Sequence, residues 1–404
     1  MTANDSQNLG KAEPAGDGAG GGFDWLYSPR LRGIASQLLV VALLLWGLYE
    51  IAANTQANLK KLNQNFGFEF LNQAAGFDLS TSLLYYSSNS SFGRALIVGF
   101  WNTVLVAIVG IVLATILGFL VGVMRLSKNW VVSRTATLYI EIVRNVPLLL
   151  QIFIWYALVL KPLPGTKQAF NIADSVFISN RGIIAPHPEF GDGAWLGAVF
   201  LLAALVGTWL FRRWARKRQE ATGERLPVWW ISLPIIVLSP FLGLLFAGWP
   251  LTWNYPELAG FNFRGGMTMV PEFIALLLAL SIYTASFIAE NVRSGILAVS
   301  HGQTEASHAL GLDNSKTLRL VVIPQAMRVI IPPMASQYLN LTKNSSLAVA
   351  IGYPDLMYAG GTVNNQSGKA IEVFSILLVV YLSTSLLTSL FMNWFNSRMK
   401  LVER

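Results

Sequence analysis

The sequence predicts an all-α polytopic membrane protein, and three observations carry that fold class. Only 12% of the 404 residues are charged and 53% are hydrophobic, whereas soluble domains carry roughly 25% charged residues. Apolar runs of about 20 residues, the length a helix needs to cross the hydrocarbon core, recur along the chain. Lysine and arginine are alternately dense and scarce in the turns between these runs, the bias that orients helices across a membrane. The formal charge of +8 is therefore read as an orienting charge, and no nucleic-acid partner is expected.

The residue inventory narrows the chemistry further. There is no cysteine, which excludes disulfides, thiolate sites and cysteine nucleophiles. The histidines His187, His301 and His308 are too scattered for a metal cluster, and no metal site is expected.

Taken in order, residues 1–28 are polar and glycine-rich and read as a disordered cytoplasmic tail without a secretory stretch. Residues 29–91 hold a first span, 33–53, behind Arg30 and Arg32, and an external segment with an interfacial helix expected around 66–77. The second span, 92–124, returns to a basic turn with Arg125, Lys128 and Arg134. The third, 135–160, leads into a loop over 161–193 whose Pro162, Pro164, Pro186 and Pro188 suit an aqueous connector. A fourth span, 194–211, ends at the basic cluster RRWARKR, and a fifth covers 228–248, with Trp249, Trp253 and Tyr255 at the following interface. The sixth covers 271–296, the seventh 329–351, and the eighth 372–394 before Arg398, Lys400 and Arg404. About eight spans of this length put both termini in the cytoplasm, and most of the 29 lysines and arginines then fall on the inner side.

Between the sixth and seventh spans lies a mixed-polarity segment, 297–327. Its stretch HGQTEASHALGLDNSKTLRLVVIPQAMRVIIPP reads as a short helix, a glycine break and a second helix leading into the membrane. Gly311 suits a left-handed C-terminal cap, and Asp313, Asn314 or Ser315 can cap the next helix. An ordinary amphipathic connector is the plainer reading.

These residues carry a resemblance. Permeases of binding-protein-dependent ABC importers share a cytoplasmic Glu-Ala-Ala, three residues, Gly, nine residues, Ile-x-Leu-Pro motif. Glu305, Ala306, Ser307, Gly311, Val321, Ile323 and Pro324 occupy the matching places, with Ser for Ala, Val for Ile and Ile for Leu as departures. YIEIVRNVPLLLQ at 139–151, PEFIALLLALSIYTASFIAENVRSGI at 271–296 and PPMASQYLNLTKNSSLAVAIGYPDL at 332–356 resemble the polar amino-acid branch that includes histidine, glutamate, glutamine, arginine and opine permeases. The N-terminal region and external loops look like broad-specificity L-amino-acid permeases of the glutamate, glutamine, aspartate and asparagine type.

The resemblance implies a type I ABC importer permease fold over 92–404 with a five-helix core. The core maps onto the second, third, sixth, seventh and eighth spans, with 194–250 as a two-helix insertion and 297–327 as the loop that couples to the ATPase. It also implies a bacterial inner-membrane location and a set of partners. These are cytoplasmic ATP-binding subunits that hold ATP and Mg, a second permease subunit in a heterodimer, a periplasmic amino-acid-binding protein, an L-amino-acid substrate and membrane lipid.

Polar residues within the spans are the candidate pathway. Ionisable groups cost about 2.5–3.5 kcal/mol at mid-helix and need protein or water around them. On the seventh span Ser336, Gln337, Asn340, Lys343 and Asn344 share an arc of roughly 120°. This stripe either lines a pathway or hydrogen-bonds a neighbouring helix. On the third span Glu141, Arg144, Leu148 and Gln151 share a face, with Glu141 and Arg144 spaced as an ion pair would be. Pro147 deprives the Val143 carbonyl of its helical donor, so a kink is expected there; the pair serves either transport or packing. Glu290 and Arg293 repeat the spacing, where a solvated helix end is expected.

No GxxxxGK[ST] motif occurs, so the chain has no phosphate-binding loop. It is expected to be a transport subunit and not an enzyme, with no cofactor of its own. The competing reading is an ion-coupled secondary transporter, for which no inverted repeat is evident.

Overall fold

The computed structural model describes residues 29–61, 66–224 and 226–399. The tail expected over 1–28 and the basic residues Lys400 and Arg404 lie outside them. The chain divides into two compact units, Met1–Phe68 and Glu69–Arg404.

In the first unit, α1 (Pro29–Lys61) is one continuous helix. Its apolar stretch Arg32–Asn58 is unburied, with Leu38, Leu44 and Trp46 all exposed, as lipid-facing side chains are. The helix outruns the expected 33–53 by about two turns, because residues 54–61 contain no glycine or proline to stop it.

The second unit opens with a correction. The interfacial helix expected over 66–77 is reduced to one 3₁₀ turn, Glu69–Asn72. Phe70 and Ala75 are buried in a cluster with Phe92 and Leu96, so this segment is fastened to the next helix. That helix, α2 (Phe92–Arg125), is capped by Ser91, whose Oγ accepts the Arg94 backbone N–H at 3.2 Å. The expected third span is two pieces, α3 (Trp130–Asn145) and α4 (Leu148–Phe153), the latter continuing as π-helical turns over Ile154–Leu160. The pieces meet at 105°. Then come α5 (Trp195–Thr222) and α6 (Val228–Phe246), which pack chiefly on each other.

The two loops flanking this hairpin are not plain connectors. The first contributes β1 (Phe170–Ile172), β2 (Val176–Ser179), β3 (Gly182–Ala185) and β4 (His187–Phe190). The second contributes β5 (Leu251–Asn254), β6 (Glu257–Ala259), β7 (Asn262–Arg264) and β8 (Met267–Met269). They join as an antiparallel sheet β1-β2-β3-β8, with Ile184 opposite Thr268, and as the pairs β4-β5 and β6-β7. Pairing between the loops satisfies backbone groups that a free connector would leave to water.

The chain continues through α7 (Pro271–Leu297), α8 (His301–Ala309) and α9 (Asn314–Thr317). A π-helical turn, Leu318–Val322, leads into α10 (Ile323–Asn344), which tightens to a 3₁₀ helix over Ser345–Ile351. Last are α11 (Leu356–Ser367), which the sequence reading did not anticipate, and α12 (Ala370–Met399). Among the described residues seven helices are long and apolar enough to cross a membrane, eight if the bent pair counts as one span.

The core forms where α2 meets α7. Ala107, Gly110, Ala114, Gly118 and Gly122 recur every three or four residues on the buried face of α2, against Ala275, Ala279, Ala285 and Ala289 of α7. Lipid tails are as apolar as any side chain, so helices in a bilayer gain little from hydrophobicity and associate through such close backbone approach. Leu148 and Ile152 of α4, Ile330 and Leu341 of α10, and Tyr353 complete this cluster.

Candidate functional site

Two features stand out, one between α7 and α10 and one along α10 itself. The first is the projecting loop that begins at α8. Of its nine helical residues only Ser307 is buried, its hydroxyl donating to the Gln303 carbonyl. Glu305 and Ala306 are exposed, and Glu305 Oε1 lies 3.0 Å from His301 Nδ1.

The helix ends where the sequence places a glycine. Gly311 has φ +77°, a conformation that L side chains rarely adopt. The Gly311 N–H donates to the His308 carbonyl at 2.9 Å and the Leu312 N–H to the Ser307 carbonyl at 3.1 Å, the paired bonds of a Schellman cap. Asp313 then caps α9, accepting the Lys316 N–H at 2.9 Å, and that bond holds its carboxyl below the usual carboxylate range. Pro324 sits in the first turn of α10, beside the exposed Ile323. Gln325 Nε2 donates to Gln303 Oε1 at 3.3 Å, joining the projecting helix to α10 directly.

Helices this short are marginal in water on their own. The double cap and the tie to α10 hold α8 in place while leaving its outer face uncovered. Leu310, the residue that follows its last turn, is 82% exposed.

The second feature is the polar face of α10. Ser336, Asn340 and Lys343 are exposed, while Gln337 and Asn344 are half-buried. None of the five side chains has a hydrogen-bond partner among the described residues. The opposite face is spent on packing, through Ile330, Ile331, Met334 and Leu341, and Tyr338 meets Thr115 Oγ1 of α2 at 2.9 Å.

The third-span residues separate. Glu141 and Arg144 are exposed and make no ion pair with each other, contrary to their spacing; Arg144 instead stacks over the Phe287 ring of α7 at 4.7 Å. Gln151 is buried, and its Nε2 donates to the Val143 carbonyl at 2.8 Å and the Val146 carbonyl at 2.9 Å. Its side-chain N–H groups therefore serve the break at Pro147.

One arrangement escaped the sequence reading. Glu290 is bridged by Arg293 at 2.6 Å and by Arg125 at the last residue of α2, so this helix end is a cross-helix network and not simply solvated. The signal was available: Arg125 closes an apolar run, 95–124, that holds no other charge.

The family model for binding-protein-dependent transport system inner membrane components matches residues 224–401. The general L-amino acid transport system permease protein AapQ of Rhizobium johnstonii is 50% identical over 379 residues, 94% of this chain and 95% of that protein. The chain belongs to this family of inner membrane permeases. A second permease, the glutamate/glutamine/aspartate/asparagine transport system protein BztB of Rhodobacter capsulatus, is 43% identical over 94% of this chain and 96% of its own length. The crystal structure of an amino acid ABC transporter with histidines aligns to this permease with a TM-score of 0.46 at 20% identity, covering 76% of this chain and 95% of that one.

Proposed function

We propose that this permease is the membrane subunit of an ATP-driven, binding-protein-dependent importer of L-amino acids, with α8 docking on a separate cytoplasmic ATPase. The observation that carries this reading is the fixed yet uncovered α8, tied to α10 by the Gln303 and Gln325 contact. A conformational change in a soluble subunit reaches membrane helices only through a contiguous, rigid element. The double-capped loop is such an element, and it feeds directly into the helix with the polar face. In this scheme the sheet end faces the extracytoplasmic binding protein, both termini and the α8 loop face the cytoplasm, and ATP with Mg is bound and hydrolysed by the partner. A second permease subunit of similar fold covers the exposed face of the core.

The scheme is tested at Gly311 and Glu305. Gly311→Val forces a β-branched side chain into positive φ, and Glu305→Ala removes a charge from the docking face. Both are expected to lower binding-protein-stimulated ATP hydrolysis and uptake together, by tenfold or more on the order of a lost coupling element worth about 1–3 kcal/mol, with membrane insertion intact. The assay is the reconstituted complex with ATP and no ion gradient, which also separates this scheme from ion-coupled transport. Normal stimulation and normal uptake in both variants would refute α8 as the coupling helix.

The uncovered polar face of α10 is proposed to line the pathway, where amide and ammonium groups meet the carboxylate and ammonium of an amino acid. Asn340→Leu is expected to change the relative uptake rates of acidic and neutral amino acids. If every substrate is carried at the wild-type rate by an assembled Asn340→Leu complex, the stripe is packing and not pathway.

A further inference from the structure

A cavity of about 570 Å³ opens where α5 ends and α6 begins, lined by Arg212, Arg216, Leu226, Trp229, Trp230 and Arg319. Three guanidiniums reach it from two distant parts of the chain: two from the last turns of α5, and one from the π-helical turn between the α8 loop and α10. Among the described residues no acidic side chain lines it. Arg218 nearby pairs with Glu224 at 3.3 Å, whereas Arg212, Arg216 and Arg319 have no ion-pair partner among the described residues. Arg212 stacks on the Trp229 ring at 4.4 Å. Stacking holds the guanidinium plane and leaves its edge donors open to a planar or tetrahedral oxyanion.

Three unpaired arginines converging on one space repel each other, and a bound anion relieves that repulsion. The surroundings say where the anion comes from. Trp229 and Trp230 are 71% and 84% exposed, the position aromatic side chains take at the depth of lipid headgroups. Beyond them Leu233, Val237 and Leu238 are exposed along α6, a surface suited to acyl chains. The volume falls in the range of about 300–1,000 Å³ usual for ligand sites.

We infer that this cavity is a binding site for the phosphodiester headgroup of an anionic phospholipid, held by Arg212, Arg216 and Arg319. A lipid seated there joins the two-helix insertion to the segment leading into α10. The inference rests on the membrane placement of α5 and α6 and not on α8 being the coupling helix.

The test is native mass spectrometry of the purified full-length chain with phosphatidylglycerol, cardiolipin or phosphatidylcholine added in mild detergent. Phosphatidylglycerol and cardiolipin are expected to be retained and phosphatidylcholine released. Arg212→Gln, Arg216→Gln and Arg319→Gln should each lower retention about fivefold, the equivalent of about 1 kcal/mol per basic residue at an anionic surface. Arg213→Gln, whose side chain stacks on Trp209 at 3.8 Å outside the cavity, serves as the control and should change nothing. Equal retention of phosphatidylcholine, or unchanged retention in all three cavity variants, overturns the site. Displacement of the lipid by millimolar inorganic phosphate makes it a free-anion site instead. Loss of ATPase co-purification in Arg319→Gln, with lipid retention unaffected, makes it a protein-docking surface.

Discussion

Leucine at both Gly118 and Gly122 is expected to eliminate the folded protein, seen as loss of the monodisperse peak after detergent extraction. The two glycines lie one turn apart where α2 crosses α7. A Cβ at Gly118 falls 2.5 Å from Ile288 Cγ2 and 3.1 Å from the Ala285 carbonyl oxygen. At Gly122 it falls 2.8 Å from both the Ala289 carbonyl oxygen and Val292 Cβ. Two of these neighbours are backbone, so relief requires moving α7 as a body. Overpacking costs typically about 1–3 kcal/mol per site and more when the backbone blocks it, against a total stability of about 5–15 kcal/mol. Single alanines should be milder and graded, with Gly118→Ala partly rescued by Ile288→Gly, which removes both the Cγ2 and the Cβ that the new methyl meets. Gly361→Ala is the control, since a Cβ there meets nothing within 4 Å. A double leucine variant that extracts and melts like the parent would show that α2 and α7 do not approach this closely.

These glycines illustrate what the sequence discloses and what it withholds. Span lengths were legible because the bilayer fixes about 20 residues per helix, and the α8 loop was legible because only glycine fits the left-handed residue that ends it. The partner of a polar residue was not. Glu141 and Arg144 have the spacing of an ion pair, yet Phe287, distant in sequence, offers Arg144 a ring face, and helical spacing carries no information about a neighbouring helix. Glu290 likewise owes part of its environment to Arg125. The β-structure of the two loops was hidden for another reason: its strands are three or four residues long, too short for an alternation to register, and two of its pairings, β3-β8 and β4-β5, run across the α5 and α6 hairpin. The kink at Pro147 was legible in the chain, but the group that makes it tolerable lay four residues away in an apolar run.

That group supplies the last prediction. Gln151→Leu is expected to destabilise the purified protein substantially and to loosen the junction of α3 and α4. Val146 adopts an extended conformation, φ −93° and ψ 125°, as a residue before proline does, and the missing Pro147 N–H leaves the Val143 carbonyl without its helical donor. The carboxamide of Gln151, 7% exposed, places its two N–H groups on the Val143 and Val146 carbonyls. Leucine matches its bulk but donates nothing, so two half-buried acceptors lose their donors, at a cost of up to about 1–3 kcal/mol each. Gln151→Glu should fare no better, since an ionised carboxylate faces two carbonyl oxygens with acceptors only. The decisive measurement is a double-mutant cycle with Pro147→Ala, read by thermal unfolding in detergent. Alanine restores a backbone N–H able to reach the Val143 carbonyl, so Gln151→Leu should cost measurably less in that background than alone. Strict additivity of the two changes would mean that Gln151 merely fills space, and that the bend at Pro147 is held by the packing of Leu148 and Ile152 alone.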